Sequence, residues 1–278
     1  MKTQVTVLSD NSAGRGGVKG EAGFSALIET AKRNYLFDTG ASRLFRDNAR
    51  LLDLELYGID RIILSHGHYD HVGGLPWAVQ EANEARLILH RQALEQKFSS
   101  STGVLHYVGL DARCRAIIRE LDENEKVSWL DSAIALNDAD NIIFSTGGRK
   151  GLSVDWNFFI EQQNQRDIPD IFEDEISLSL SGRHSSVLII GCGHCGLPQI
   201  VTRAEELSGK PVAAVVGGSH LNNVSDEEIT KTADFFRNRD TALYLGHCTG
   251  MNGYARLYSA LNGRHLKPIY SGFKTTFA

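Results

Sequence analysis

The sequence predicts an α/β layered sandwich, on three observations: a meander of short strands at its start, a regular alternation of strands and helices in its second half, and an ample apolar composition. The chain has 278 residues, 42% of them hydrophobic, so one large core can form without disulfide or metal staples. Strands are expected at 4–8, 24–29 and 34–38, the last running into Asp38-Thr39-Gly40, where glycine permits the turn. The first of these reads as an edge strand. Apolar residues at helical spacing place a helix over 44–56, a short strand at 61–64 leads into a histidine-rich loop, and 75–85 is the next helix. Between about 91 and 130 the periodicity weakens, with a polar run at 99–103 and a helix at 112–121, so this segment is read as an insertion or lid on a single domain covering 1–278. A strand follows at 142–145, then a polar connection from Gly147 to Gly151 that continues through Trp156, Phe158 and Phe159. From Ile176 the rhythm is strict: strands at 176–180, 187–190, 212–216 and 242–245, with helices near 198–207, 226–236 and 254–261.

Composition excludes several classes. Lys plus Arg number 29 against 34 Asp plus Glu, and a net charge of -5 gives no general attraction to nucleic acid. The N-terminal apolar run is too short for a secretory segment or a membrane span, so a cytoplasmic protein is expected. The 4 cysteines, Cys114, Cys192, Cys195 and Cys248, are too few and scattered for a disulfide framework, and reduced thiols are expected.

Chemistry concentrates in Ser65-His66-Gly67-His68-Tyr69-Asp70-His71, which follows a strand and precedes a helix. Imidazoles suit borderline divalent ions, and a carboxylate balances the charge of a second ion nearby. A helix cap would need one such residue, not four. The spacing suggests that His66 and His68 face one ion, with Asp70 and His71 reaching a neighbour roughly 3.5–4 Å away. A binuclear site needs further ligands from other strand ends, and three places qualify. His247, in Gly246-His247-Cys248-Thr249-Gly250, is expected as a ligand; His220, after Gly217-Gly218-Ser219, is expected in the site as a proton donor rather than a ligand. Gly191-Cys192-Gly193-His194-Cys195-Gly196 admits three readings. Its glycines fit a dinucleotide fingerprint, but the strand at 212–216 has no acidic residue for a ribose. Cys192 and Cys195 fit a redox dithiol, which leaves the histidine loop unexplained. As a metal loop it supplies His194 and Cys192, the reading preferred here.

The run His66-Gly-His68-Tyr-Asp70-His71, followed by Val72-Gly73-Gly74, resembles the HxHxDH signature of the metallo-β-lactamase superfamily, and Phe37-Asp38-Thr39-Gly40 resembles its first motif, an aspartate that supports the metal loop. The resemblance implies a four-layer αβ/βα sandwich and a metal-dependent hydrolase. It implies two divalent ions, zinc first, with iron or manganese as alternatives. It also implies that His194 and His247 are middle and last ligands. The superfamily's bridging aspartate has no simple counterpart; Cys192 or His194 is expected instead, or else a member of the cluster Asp170, Glu173, Asp174 and Glu175, whose plainer reading is a solvated turn. Asp10-Asn11, Asp174-Glu175-Ile176-Ser177-Leu178, Gly191-Cys192-x-His194, Gly217-Gly218-x-His220-Leu221 and the His247 segment together resemble one branch, the 7,8-dihydropterin-6-methyl-4-(β-D-ribofuranosyl)-aminobenzene-5′-phosphate synthases and their relatives. That branch implies a phosphorylated or pterin-like small-molecule substrate. An iron-dependent oxidoreductase on the same fold, a non-catalytic binder that keeps the fold as a sensing module and the Cys192/Cys195 dithiol enzyme are the rival readings.

Overall fold

The computed structural model describes residues 2–14, 16–136, 141–149, 157–162 and 165–277. Two seven-stranded sheets form its centre. The first runs, in spatial order, Lys274–Phe277, Thr3–Ser9, Ser25–Glu29, Asn34–Phe37, Arg61–Ile63, Arg86–His90 and Val127–Leu130. The second runs Leu266–Pro268, Ala242–Leu245, Val212–Gly217, Ser186–Ile189, Ile176–Ser181, Asn141–Ser145 and Ala133–Leu136.

Strand periodicity explains the layering. Successive side chains point to opposite faces of a sheet, so a strand buried on both sides must be apolar throughout. In the first sheet Tyr35 and Phe37 enter the core between the sheets while Leu36 points to the helices outside; Ile63 and Ile62, and Ile88 and Leu87, divide in the same way. The inner core is completed from the second sheet by Ile143, Ile176, Leu178, Ile189 and Val216. Outside the first sheet pack the helices Leu44–Leu51, Leu75–Glu81 and Ala112–Glu123; outside the second pack Leu197–Ser208, Asp226–Phe236 and Gly250–Ala260. The order helix, sheet, sheet, helix is the expected four-layer αβ/βα sandwich.

Several expectations need correction. The first strand is not an edge, because the C-terminal strand Lys274–Phe277 pairs along its outer side. The helix from Leu44 stops at Leu51 rather than continuing to 56, since Asp53 takes a left-handed conformation (φ 53°) that ends the helix; Leu54 and Leu56 still pack on the same core, which preserved the apolar spacing. The weakly patterned segment after Arg91 contains two strands, Gln96–Ser99 and His106–Tyr107. They join Phe158–Gln162 and Gln165–Pro169 in a third, four-stranded sheet, so Phe158 and Phe159 belong to a strand and not to a loop. The partners are some sixty residues apart in sequence, which local patterning does not register. Lys150, Gly151 and Trp156 lie outside the described residues. None of the four cysteines forms a disulfide. No helix among the described residues is long and apolar enough to cross a membrane.

Candidate metal centre

The strand ends of both sheets deliver their loops to one edge of the sandwich. Arg61–Ile63 ends at the histidine loop, and the one-turn helix Tyr69–Val72 carries Asp70 and His71. Ser186–Ile189 ends at Cys192 and His194, Val212–Gly217 at His220, and Ala242–Leu245 at His247. The loops meet closely: a Cβ on Gly191 would lie 2.2 Å from Ser65 Oγ, so only glycine lets the Cys192 loop reach the His66 loop. Asp38, His220 and His247 all have left-handed backbone angles (φ 56°, 49° and 51°), each costing on the order of 1–3 kcal/mol, and all three lie at this edge.

Two groups of ligand-type atoms result. His66, Cys192 and His194 form one, and His71, Cys192 and His247 the other, with the atoms of each group within 4.8 Å of one another. Cys192 Sγ is common to both, lying 3.2 Å from His71 Nε2 and 3.4 Å from His247 Nε2. Asp70 Oδ2 flanks the second group, 3.5 Å from His247 Nε2 and 3.9 Å from His71 Nε2. His68 flanks the first, its Nδ1 3.0 Å from His66 Nε2. His220 belongs to neither group; its ring sits 4.3 Å from that of His194.

Surrounding groups fix the tautomers. Ser65 Oγ donates to Asp38 Oδ2 (2.7 Å) and so accepts from His66 Nδ1 (2.9 Å), leaving His66 Nε2 bare. Asp38 Oδ2 also accepts from His71 Nδ1 at 2.7 Å, which turns His71 Nε2 toward Cys192. Asn11 Oδ1 accepts from Gly23 N–H and from His247 Nδ1–H (2.8 Å), so His247 Nε2 is bare as well. These are the outer hydrogen bonds that orient metal-binding imidazoles.

Burial pushes His66, His68, His194 and His247 well below the ordinary imidazole pKa, helped by neighbouring cationic groups, so all four are neutral with lone pairs available. Burial opposes a charge on His71 too, but the Asp38 and Asp70 carboxylates outweigh it and raise His71 to about 9. Burial pushes the Cys192 thiol up, so a cation there must displace its proton. The fit to metal is direct: among the described residues His68 Nε2 and both ring nitrogens of His194 are buried with no hydrogen-bond partner, and a cation taking one lone pair from each ring would relieve part of that cost.

The acidic cluster is neither a solvated turn nor part of the two ligand groups. Asp170, Asp174 and Glu175 are buried, and they grip the ligand loops from behind. Asp174 Oδ2 accepts from Gly67 N–H (2.8 Å) between His66 and His68, while its Oδ1 takes Lys97 Nζ at 3.0 Å. Lys97 also reaches Asp170 (2.6 Å), and Glu175 accepts from the N–H groups of His194 and Cys195, each at 2.8 Å. Glu173 binds Gln92. Sequence reasoning missed Lys97 entirely; a lysine alternating with Phe98 in a weak strand carries no signal of burial. It also missed the aromatic wall, in which Phe172 stacks on His194 (3.8 Å, 4°) and Phe158 on His68 (5.3 Å, 22°).

Residues 18–206 match the metallo-beta-lactamase superfamily. An uncharacterized protein of Methanocaldococcus jannaschii is 30% identical over 263 residues, covering 93% of this chain and 94% of its own. The 7,8-dihydropterin-6-methyl-4-(beta-D-ribofuranosyl)-aminobenzene-5'-phosphate synthase of the same organism is 29% identical over 244 residues, 82% of this chain and 81% of that one. A crystal structure described as a metal-dependent hydrolase of the beta-lactamase superfamily is similar over 98% of both chains, with 29% identity and a TM-score of 0.81. Fold, histidine loop and sequence relationships agree, and the chain belongs to the metallo-β-lactamase superfamily.

Proposed function

We propose that this chain is a metal-dependent hydrolase-like enzyme that uses a binuclear centre on a small phosphorylated or pterin-like ester. The observation that carries the proposal is the position of Cys192 Sγ, common to two ligand groups that otherwise share no residue. A sulfur in that place stands where a bridging carboxylate would, with imidazoles on either side. Thiolate and imidazole donors together suit zinc, the ion proposed here. When bound, two such ions supply an acidified water and polarise a carbonyl or phosphoryl oxygen.

The chain's own residues do the rest. His66, His68, His194 and His247 are neutral, and His66 and His247 are held in the tautomer with Nε2 bare, so they are poised to bind without first losing a proton. Asp70, half-buried beside His247, can accept a hydrogen bond from an attacking water and orient it. His220 lies beside His194, its ring 4.3 Å away, where it can donate a proton to a departing oxygen. Phe158 and Phe172 keep bulk water from the first group, which strengthens every charge interaction inside.

The dithiol reading finds no support in the geometry: Cys195 Sγ bonds the Phe172 carbonyl (3.6 Å), whereas Cys192 Sγ faces His71 and His247. The test is His68→Ala. Loss of metal and of hydrolysis together is the expected result, and retention of both overturns the proposal. Metal analysis of protein purified without added metal separates zinc from iron, and bound iron with oxygen consumption would favour the oxidoreductase reading.

A further inference from the structure

Beside His247 lies a cavity of about 710 Å³, a size suited to a small organic ligand. His247 forms part of its wall and is also a member of the second ligand group, its Nε2 3.1 Å from His71 Nε2, so the cavity and that group share one imidazole. Asn11, which fixes His247 through Nδ1, lines it too.

The wall has an uneven chemistry. Among the described residues it carries no lysine or arginine. Its acid, Asp10, is already engaged: Oδ1 accepts from the backbone N–H and hydroxyl of Ser12, and Oδ2 accepts from His247 N–H. Much of the remainder is apolar, with Leu245 and Ile269 at the strand ends, and Met251 and Tyr254 on the helix Gly250–Ala260. Met251 and Tyr254 are three residues apart on this helix, Met251 turned to solvent and Tyr254 half-buried, with part of its ring against the core around Leu257. Met251 is 91% exposed, an unusual state for a large apolar side chain, and it is flexible enough to close over ligands of differing shape. An exposed methionine beside a half-buried tyrosine and a candidate metal ligand has the properties of a recognition surface.

We propose that this cavity is the subsite for the uncharged, apolar organic group of the substrate, aromatic or branched aliphatic, whose ester or phosphoester linkage is held at the metal centre. The inference rests on the hydrolase reading above and deepens it. Among the described residues the wall offers no lysine or arginine to a second phosphate or carboxylate, which favours an uncharged group here.

The test is calorimetric titration of the zinc-loaded protein with n-alkylphosphonates from methyl to hexyl, so that the phosphonate occupies the metals and the chain enters the cavity. Affinity should rise by up to about fourfold per methylene. The dependence on chain length should flatten in Met251→Glu, where the exposed side chain tolerates replacement, and in Tyr254→Ala. A flat series in the wild-type protein, or an undiminished slope in both variants, overturns the subsite. Failure of every phosphonate to bind, methylphosphonate included, overturns the metal-hydrolase reading itself, and the subsite falls with it.

Discussion

The two ligand groups that share Cys192 are built from opposite materials. Around His66 and His194 the walls are aromatic, with Phe158 and Phe172 against the imidazoles, while the buried Asp174 and Glu175 carboxylates are taken up by backbone N–H groups behind the loops. Around His71 and His247 the walls are polar: Asp38 and Asp70 face His71, while Asn11 and the Asp10 carboxylate anchor His247. The first group is dry, walled by aromatic rings and neutral; the second offers carboxylates beside its imidazoles that favour a cation once the His71 proton has been displaced. The difference teaches that a shared sulfur does not make two equivalent sites. The second group should load first and hold its ion more tightly, and the first should fill last.

The largest expected effect tests what holds the dry side together. Lys97, Asp170 and Asp174 form a buried ionic group that ties the third sheet to the histidine loop through Gly67 N–H. Burial opposes the charge of Lys97, yet the Asp174 and Asp170 carboxylates more than compensate and push its pKa up. In Lys97→Met both carboxylates lose their cation inside the protein, and the expected loss of stability is about 3–5 kcal/mol by urea unfolding. Metal affinity of the first group should fall with it, because Asp174 no longer fixes the loop between His66 and His68. A loss under about 1 kcal/mol would show that the triad is not the anchor of this side.

Asp38→Asn probes the polar side. The carboxylate accepts from Ser65 N–H (2.6 Å), Ser65 Oγ and His71 Nδ1, all buried. An amide of the same shape keeps one acceptor but presents N–H₂ donors where Oδ2 took two bonds. Competition with a chelator should show metal affinity reduced about 10–100-fold, the usual range for losing an outer hydrogen-bond partner. Because Ser65 Oγ links the same carboxylate to His66 Nδ1, the first group should weaken as well, and unchanged affinity at the polar group would show that Asp38 does not orient His71.

The same contrast explains what the sequence disclosed. His66, His68, Asp70 and His71 are adjacent in the chain because one loop and one helical turn present them, so their chemistry is visible as a motif. Cys192, His194, His220 and His247 could be found only by noting that each follows a strand, and their grouping depends on the order of strands in the second sheet. The four-layer architecture was legible because strands buried on both faces and amphipathic helices leave strong periodic signals. The third sheet was not, since its pairing of residues 96–99 with 158–161 is long-range and its strands are short. Asp174 and Glu175 looked like surface residues for a related reason: the backbone N–H groups they satisfy, at Gly67, His194 and Cys195, are invisible in a sequence.

The smallest expected effect is also the finest probe of the polar group. Asn11 Oδ1 holds His247 in the tautomer whose Nε2 faces His71 and Cys192, but it is not the only restraint, because Asp10 Oδ2 still binds the His247 backbone N–H at 2.7 Å. Asn11→Ala therefore frees the ring without releasing the loop. Metal affinity at the second group should fall by about tenfold, the low end for such a partner. Asn11→Asp replaces the amide with a charged acceptor for Nδ1–H, and should restore affinity by making the imidazole more basic. If Asn11→Ala and Asn11→Asp weaken binding equally, the loop rather than the tautomer sets the position of His247, and the electrostatic account of the second group would have to rest on Asp38 and Asp70 alone.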